Sequence, residues 1–396
     1  MTTLSARSPW LIAIGLCLGP AVSNGLARFA YGLVLPAMKQ DLGWTYTQAG
    51  WINTANAIGY LVGALLALGV IRTLGPQRLF IGGIGLTAFA LVASGLTRDF
   101  WLLSLCRILA GIGGAPALIA GSAMVSSLFK GDAARNSMAI AVYFGGGGIG
   151  MLLTGVSIPF ILERWGASSW PVTWLLLGSL GVIAILPAVL AAKAVAFSSQ
   201  SHGGASHVPL PVRSMLPALL SYFLFAVGYI VYLTFVVAWM RNAGASTLLV
   251  AATWGLLGAA VTVSPFAWRR RLTLATGGGA LALACAATGI GTMLPLIIPG
   301  GIGLLLSAAI FGGSFFIGPA SVTAFSRKNL PQAQWGHSVA LFTTVFAVGQ
   351  TLGPVAAGSL ADATKSLASG LLAAGLTLLA AGAIAGLQGE LRPGAE

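Results

Sequence analysis

The chain has 396 residues, of which 57% are hydrophobic and only 7% are charged, and its mean hydropathy is +0.93. A water-soluble domain needs a charged surface, so this composition excludes a soluble globular protein and predicts helices that lie in lipid. The formal charge of +13 does not indicate a nucleic-acid partner, because the basic residues form no patch or stripe.

Twelve apolar stretches of about 20 residues or more follow one another along the chain, each long enough to span a membrane as a helix. Their predicted limits are 10–38, 47–71, 78–97, 100–127, 137–162, 171–195, 214–240, 246–268, 272–294, 300–325, 338–361 and 366–388. The predicted fold class is therefore an all-α membrane protein with twelve transmembrane helices. The three cysteines lie in apolar stretches without metal-ligand or disulfide spacing, so we expect no metal site and no cofactor.

The first stretch carries an arginine near its middle. Asn24, Arg28 and Tyr31 share one helical face by i, i+3 and i+4 spacing. An arginine in mid-membrane costs roughly 2.5–3.5 kcal/mol on insertion scales, so it usually faces a cavity or a partner. Arg28 is therefore a candidate substrate ligand. The alternative is structural hydrogen bonding to Asn24, Asn53 or Asn56.

The second stretch carries two asparagines, and Asn53, Asn56 and Tyr60 share one of its faces. Buried carboxamides must find hydrogen-bond partners. The pattern indicates either a polar cavity that holds substrate or interhelical bonds that fix the packing.

The fourth stretch carries the second arginine within an apolar stretch, Arg107, at a depth similar to that of Arg28. We expect every acidic residue to lie outside the membrane, in loops or the tail: Asp41, Asp99, Asp132, Glu163, Asp362, Glu390 and Glu396. With positive but no negative charge at membrane depth, an anion is the favoured substrate, and guanidinium forks fit carboxylate or phosphate. The alternative for Arg107 is a structural bond to backbone carbonyls or polar groups of neighbouring helices.

The longest connection, residues 196–213, is rich in Ser and Gly. It is predicted as a flexible cytoplasmic linker between an N-terminal six-helix bundle, 1–195, and a C-terminal six-helix bundle, 214–396. No loop is long enough for a nucleotide-binding domain, and no G-x-x-x-x-G-K-[ST] motif occurs. We therefore expect no ATP-driven transport.

The seventh stretch stacks aromatic residues on one face, among them Tyr229 and Tyr232. An aromatic face with polar tips suits a carboxylate with an apolar or aromatic body, although such a stripe also forms by packing alone. Further candidates to line the substrate site are Tyr143, Trp254 and Gln350.

The two halves of the chain are related by an internal repeat. A displacement of about 203 residues pairs Trp51 with Trp254, Pro116 with Pro319, Gly146 with Gly349, and Gly150 with Gly353. Two related six-helix halves predict a binding site between them and transport by rocking one half against the other.

Three motifs carry a family resemblance. The fourth stretch has Arg107-Ile-Leu-Ala-Gly111, and the eleventh has Gly349-Gln-Thr-Leu-Gly353-Pro354. Between the second and third stretches lies Arg72-Thr-Leu-Gly75-Pro-Gln-Arg78, in which Arg72 occupies an acidic position of the family's loop signature D-R-x-G-x-R-R. With these motifs the chain resembles the major facilitator superfamily, and its segment 24–38 resembles a poorly characterised bacterial branch of it. The resemblance implies two pseudo-symmetric six-helix bundles and alternating access.

The glycines of these motifs have a mechanical interpretation. Gly111, Gly146, Gly150, Gly349, Gly353 and Pro354 allow close helix approach and bending where helices slide during transport, although packing alone accounts for them equally well.

Of the 20 Lys and Arg residues, about thirteen fall in loops on the side of the N-terminus and about five in loops on the other side. The remaining two, Arg28 and Arg107, lie inside apolar stretches. This bias predicts that both termini lie in the cytoplasm, and the resemblance to a bacterial branch implies the inner membrane. Close backbone packing of glycine-rich helices favours a monomer in the lipid bilayer.

The predicted function is transport of a small organic anion, by uniport or exchange. The alternatives are an exporter of neutral or amphipathic compounds with structural arginines, and a membrane sensor that does not transport. No nucleophile–base pair or metal motif indicates an enzyme.

Overall fold

The computed structural model describes residues 8–129, 131–195 and 210–391, without the side chains of Arg72 and Ala133. Within this part, twelve helices are long and apolar enough to cross a membrane. They are α1 Pro9–Leu42, α2 Tyr46–Ile71, α3 Thr73–Ser94, α4 Phe100–Val125, α5 Ala134–Trp165, α6 Ala167–Ala194, α7 Leu216–Asn242, α8 Thr247–Ala267, α9 Gly279–Ile297, α10 Gly301–Asn329, α11 Gln332–Thr364 and α12 Leu367–Gly386. The predicted all-α class with twelve spans is confirmed.

Several helices depart from regular α-helix in ways that hydropathy does not register. α10, for example, is interrupted between Gly301–Phe315 and Ile317–Asn329. α1 contains a π-helical segment, Ala21–Phe29, between Pro9–Pro20 and Ala30–Leu42. α2 and α3 form one helical run, interrupted at Gly75 with φ 76° and ψ 156°, a conformation that glycine adopts without steric cost. The short helix Arg269–Leu274 connects α8 and α9.

Side-chain caps explain where several helices begin. Asp99 accepts a hydrogen bond from the Leu102 amide at the start of α4, and Ser246 does so from the Leu249 amide at the start of α8. Each cap satisfies a backbone donor that the first helical turn leaves without an intrahelical acceptor.

Three acidic residues lie within helices, so the expectation that all seven fall in loops or the tail is wrong for them. Asp41, Glu163 and Asp362 occupy the last turns of α1, α5 and α11. Their apolar stretches end a few residues before the helices do, because a helix continues into the polar interface for as long as its backbone bonds are made. The described carboxylates therefore lie in the last turns of the spans or outside them.

The chain divides into two compact units. Unit 1 comprises Met1–Trp44 and Ala55–Ser198, and unit 2 comprises Thr45–Thr54 and Ser199–Glu396. The start of α2 thus groups with unit 2, whereas the prediction placed all of residues 1–195 in the N-terminal bundle. Residues 196–209, most of the predicted linker, lie outside the described part.

In each unit, one long helix, α1 in unit 1 and α7 in unit 2, packs on the unit's last two helices. In unit 1, α1 packs on α4, α5 and α6. In unit 2, α7 packs on α11 and α12, and α9 packs on α10 and α12. Glycines bring these helices together: a Cβ added to Gly25 of α1 lies 2.5 Å from the Cα of Gly150 in α5. In unit 2, a Cβ added to Gly349 of α11 lies 2.5 Å from the Phe223 carbonyl of α7.

Candidate functional site

The π-helical segment of α1 carries Asn24 and Arg28, and all of its residues are buried. The Arg28 side chain is 6% exposed, and its guanidinium carbon lies 5.1 Å from the centre of the Tyr60 ring of α2. A π-helix inserts an extra residue into a turn and rotates the residues that follow, and such insertions are frequent at functional sites. The local hydrogen-bonding pattern therefore sets which helix Arg28 faces.

Arg28 and Tyr31, which the spacing places on one face, each take part in a cation–π contact with another helix. Arg28 contacts Tyr60 of α2, whereas Tyr31 contacts Arg107 of α4, its ring centre 5.3 Å from the guanidinium carbon. The spacing argument assumed a regular α-helix through Ala21–Phe29, which is π-helical here. That Arg28 and Tyr31 bind substrate together stays a prediction.

Arg107 is 1% exposed and lies between two aromatic rings, those of Tyr31 and Trp174, the latter with its centre at 5.2 Å. Its Nη1 donates a hydrogen bond of 2.6 Å to the carbonyl of Ala27, the residue before Arg28. Its Nε and Nη2 have no hydrogen-bond partner in the described structure. The carbonyl bond ties Arg107 to the backbone of the π-helical segment, and the cation–π contacts hold it against the rings of α1 and α6. Trp174 was not predicted as part of this cluster, because nothing in the spacing of α6 distinguishes it.

The remaining candidates of unit 1 lie near α4. Asn56 Nδ2 donates to the Arg107 carbonyl at 3.0 Å, so this carboxamide makes an interhelical bond. The Tyr143 hydroxyl donates to the Leu118 and Ala117 carbonyls at 2.9 and 3.2 Å, which engages it in α4–α5 packing.

Unit 2 carries an aromatic cluster on α7, α10 and α11. The Tyr229 ring is nearly parallel to those of Phe225, Phe346 and Phe315, with centres 5.3 to 5.9 Å away. The Tyr229 hydroxyl donates to Gln350 Oε1 at 3.2 Å. The cluster therefore combines flat apolar surface with polar tips.

Three other candidates of unit 2 have separate surroundings. Tyr232 stacks on Phe311 at 4.0 Å and shares a 2.7 Å hydrogen bond with Ser307, a residue that the sequence pattern did not single out. Trp254 is buried, and its Nε1 has no partner in the described structure. Asn53 Nδ2 donates to Thr234 Oγ1 at 2.5 Å.

Asp362, in the last turn of α11, accepts three hydrogen bonds from the start of α2. Its carboxylate accepts from the backbone amides of Tyr46 and Thr47, both at 2.9 Å, and from the Thr47 hydroxyl at 2.6 Å. Further along α2, Thr54 Oγ1 donates to the Thr351 carbonyl of α11. Asp362 thereby caps the first turn of α2 within unit 2. This role was missed because the predicted helix ended at residue 361.

The motif glycines lie at close backbone approaches. A Cβ on Gly111 would meet the Tyr60 amide of α2 at 2.5 Å, and one on Gly150 would meet the Ala21 carbonyl of α1 at 2.7 Å. Cβ atoms on Gly146 and Gly353 would meet the Cys17 and Val227 carbonyls. The α2 and α11 backbones also approach closely at Pro354, because a Cβ on Gly50 would meet the Pro354 carbonyl.

In the loop motif 72–78, Gly75 accounts for the change of helix direction. Gly75 makes the bend between α2 and α3. Arg78 is exposed, and the side chain of Arg72 lies outside the described part. No group of three or more His, Cys, Asp or Glu residues in the described ranges lies close enough to hold a metal ion.

Comparison with known proteins gives a family match over most of the chain. A family model described as "Uncharacterised MFS-type transporter YbfB" matches residues 20–386. The "3-(3-hydroxy-phenyl)propionate transporter" of Escherichia coli (strain K12) is 31% identical over 112 residues, 28% of each chain. The "Chloramphenicol resistance protein" of Streptomyces lividans is 27% identical over 386 residues, 94% of each chain. The "Gallate transporter" of Pseudomonas putida is 27% identical over 185 residues, 46% of this chain and 39% of that protein.

The chain thus spans less than half the length of two of these relatives and nearly all of the third. A crystal structure of a mutant of the nucleoside transporter NupG superimposes with a TM-score of 0.71 over 95% of this chain and 97% of that one. The two sequences are 12% identical, so this likeness shows the fold alone.

Proposed function

The chain belongs to the major facilitator superfamily, in the family of MFS-type transporters that the YbfB model describes, and from this premise we propose that it carries a small organic anion across the membrane. The preferred substrate is a carboxylate with an aromatic body. The prediction that substrate binds between two halves that rock against each other stays a proposal.

The observation that carries the proposal is the burial of Arg28 in the π-helical segment of α1. The buried charged residues inside the described spans of unit 1 are Arg28 and Arg107, and both are cations. The electrostatic potential at that depth is therefore positive, and a low-dielectric interior strengthens it. An anion is the ligand that such a potential favours.

The two arginines have different roles in this proposal. Arg28 lies beside the Tyr60 ring and binds the carboxylate, whose planar geometry matches the guanidinium fork. Arg107 lies between two rings and bonds to the Ala27 carbonyl, so it is a positioning residue that fixes the backbone next to Arg28.

The relatives support the substrate class. Two of them are named as transporters of 3-(3-hydroxyphenyl)propionate and of gallate, both aromatic carboxylates. The aromatic cluster around Tyr229 has the character of a surface on which an aromatic body stacks.

A second candidate function is export of neutral or amphipathic compounds. The specific observation in its favour is the chloramphenicol-resistance relative, which is matched over 94% of its length. In this case both arginines are structural, and substrate charge has no influence on binding.

The protein is a multi-pass membrane protein. We place it in the bacterial inner membrane with both termini in the cytoplasm, because basic residues are concentrated on the side of the N-terminus. We propose a monomer, because the helices of each unit pack closely through their backbones.

The test is a ligand panel on purified protein in detergent, read as thermal unfolding. It contains gallate, 3-(3-hydroxyphenyl)propionate, dicarboxylates, sugar phosphates, nucleosides and chloramphenicol, each applied to the wild type, Arg28→Gln and Arg28→Lys. A ligand at a hundred times its Kd stabilises the folded state by about 2.7 kcal/mol. We expect aromatic carboxylates to raise the Tm of the wild type, with the shift lost in Arg28→Gln and partly kept in Arg28→Lys. A shift with chloramphenicol alone, equal in all three proteins, supports the exporter instead.

A further inference from the structure

The connection between α8 and α9 presents three consecutive arginines. Arg269, Arg270 and Arg271 form the start of the short helix Arg269–Leu274, and all three side chains are exposed. This segment, which we call the arginine helix, lies on the side of the membrane where most basic residues of the chain are predicted to fall. A surplus of basic residues in such loops orients a membrane protein without further structure.

Side-chain hydrogen bonds hold the arginine helix at both ends, although orienting the protein in the membrane requires only the charge of this loop. Lys328 Nζ donates to the carbonyls of Leu272, Thr273 and Ala275, at 2.6 to 2.8 Å, and so caps its C-terminal end. On the other side, Trp268 Nε1 donates to the Gly313 carbonyl at 2.8 Å. The three guanidinium groups therefore project from a fixed base.

No described carboxylate is ion-paired with these guanidinium groups. Glu390, near the C-terminal end of the described part, accepts a hydrogen bond from Thr276. Lys328 directs its donors to carbonyls, so the arginines supply the available positive charge. Their planar forks match phosphate oxygens in bidentate geometry.

Apolar side chains flank the arginines. Phe266 at the end of α8 is 46% exposed, and Leu274 at the end of the arginine helix is 65% exposed. In a membrane protein such residues lie in the acyl-chain region just below the headgroups. Positive charge beside membrane-facing apolar surface matches a molecule with an anionic head and two hydrocarbon chains.

We propose that the arginine helix, with Phe266 and Leu274, is a binding site for an anionic phospholipid of the adjacent leaflet. Arg269, Arg270 and Arg271 bind the phosphate of the headgroup, and the two apolar side chains contact the acyl chains. The site lies entirely in unit 2 and is independent of the transported substrate.

The proposal is tested by measuring lipid affinity of the full chain in detergent by native mass spectrometry. Dioleoyl phosphatidylglycerol is titrated against the phosphatidylcholine with the same acyl chains. Arg269→Gln/Arg270→Gln is compared with Lys193→Gln/Arg213→Gln, which removes the same charge from exposed positions on the same predicted side. We expect the arginine variant to lose about thirty-fold in phosphatidylglycerol affinity and the control variant to keep it. Equal affinity in the wild type and the arginine variant, or an equal loss in both variants, overturns the proposal.

Two further arms apply to the wild type, so a variant that fails to fold does not end the test. Raising ammonium acetate from about 0.05 M to about 0.5 M shortens the Debye length severalfold and should weaken phosphatidylglycerol binding at least about tenfold, with phosphatidylcholine unaffected. Phosphatidylglycerol affinity that does not respond to salt contradicts the proposal. Inorganic phosphate should not displace the lipid, and displacement at matched concentration identifies a site for free phosphate instead.

Discussion

At the scale of single residues, Arg28 and Arg107 show how similar sequence contexts lead to different surroundings. Both are arginines inside apolar helices and both contact aromatic rings. Arg107 is tied to the Ala27 carbonyl and lies between the Tyr31 and Trp174 rings, and Arg28 contacts the Tyr60 ring. The structure therefore favours a positioning role for Arg107, one of the two alternatives that its sequence left open.

Arg107→Gln should lower the free energy of unfolding by about 1–3 kcal/mol, because the buried Ala27 carbonyl loses its charged donor. The measurement is thermal or denaturant unfolding followed by tryptophan fluorescence. Arg28→Gln removes the same charge in the neighbouring helix and serves as the comparison. We expect it to lose anion binding with a smaller loss of stability. If Arg107→Gln is as stable as the wild type but binds no anion, Arg107 is itself a ligand.

At the scale of helices, the most consequential feature is the attachment of the start of α2 to α11 through Asp362. The amides of Tyr46 and Thr47 belong to the first turn of α2, where no intrahelical acceptor is available. A carboxylate supplies both acceptors and a favourable charge for the helix N-terminus. One side chain therefore fixes how α2 begins.

Asp362→Ala should open this turn. We expect amide hydrogen exchange at Tyr46 and Thr47 to accelerate at least about tenfold, because each amide loses a charge-assisted hydrogen bond. Ser359→Ala is the control, because Ser359 accepts only one long hydrogen bond, of 3.4 Å, from the Thr47 hydroxyl. Unchanged exchange in Asp362→Ala would show that other contacts hold the turn.

Adjacent glycines in α3 test close helix packing within unit 1. A Cβ on Gly83 would lie 2.5 Å from the Gly113 carbonyl and 2.8 Å from the Ala117 amide, both in the backbone of α4, whereas one on Gly82 meets nothing within 4 Å. Gly83→Ala should therefore destabilise the protein by about 1–3 kcal/mol through overpacking. Gly82→Ala should leave stability equal or raise it by up to about 1 kcal/mol. Thermal unfolding distinguishes them, and equal Tm values contradict the packing account.

At the scale of the whole molecule, hydropathy was sufficient for the architecture, because lipid requires helices of a set length and apolar composition. Twelve spans were predicted and twelve occur in the described part, with ends that differ by a few residues in most cases. The family followed from motifs such as Arg107–Gly111 and Gly349–Pro354.

The details of the candidate site were less accessible to sequence. The π-helix at Ala21–Phe29 depends on backbone hydrogen bonding, which side-chain periodicity does not encode. Trp174 and Ser307 reach their partners, Arg107 and Tyr232, from distant helices, so only tertiary packing identifies them. Asp362 was assigned to a loop because polarity, rather than backbone geometry, marked the predicted helix end.

The most direct test of the account is uptake of a radiolabelled aromatic carboxylate, gallate or 3-(3-hydroxyphenyl)propionate, into liposomes that contain the purified protein and are preloaded with the same unlabelled compound. We expect the wild type to accumulate label, Arg28→Lys to keep part of the rate, and Arg28→Gln to lose at least about tenfold. Uptake no faster than into protein-free liposomes, or uptake equal in the wild type and Arg28→Gln, would contradict anion transport through Arg28.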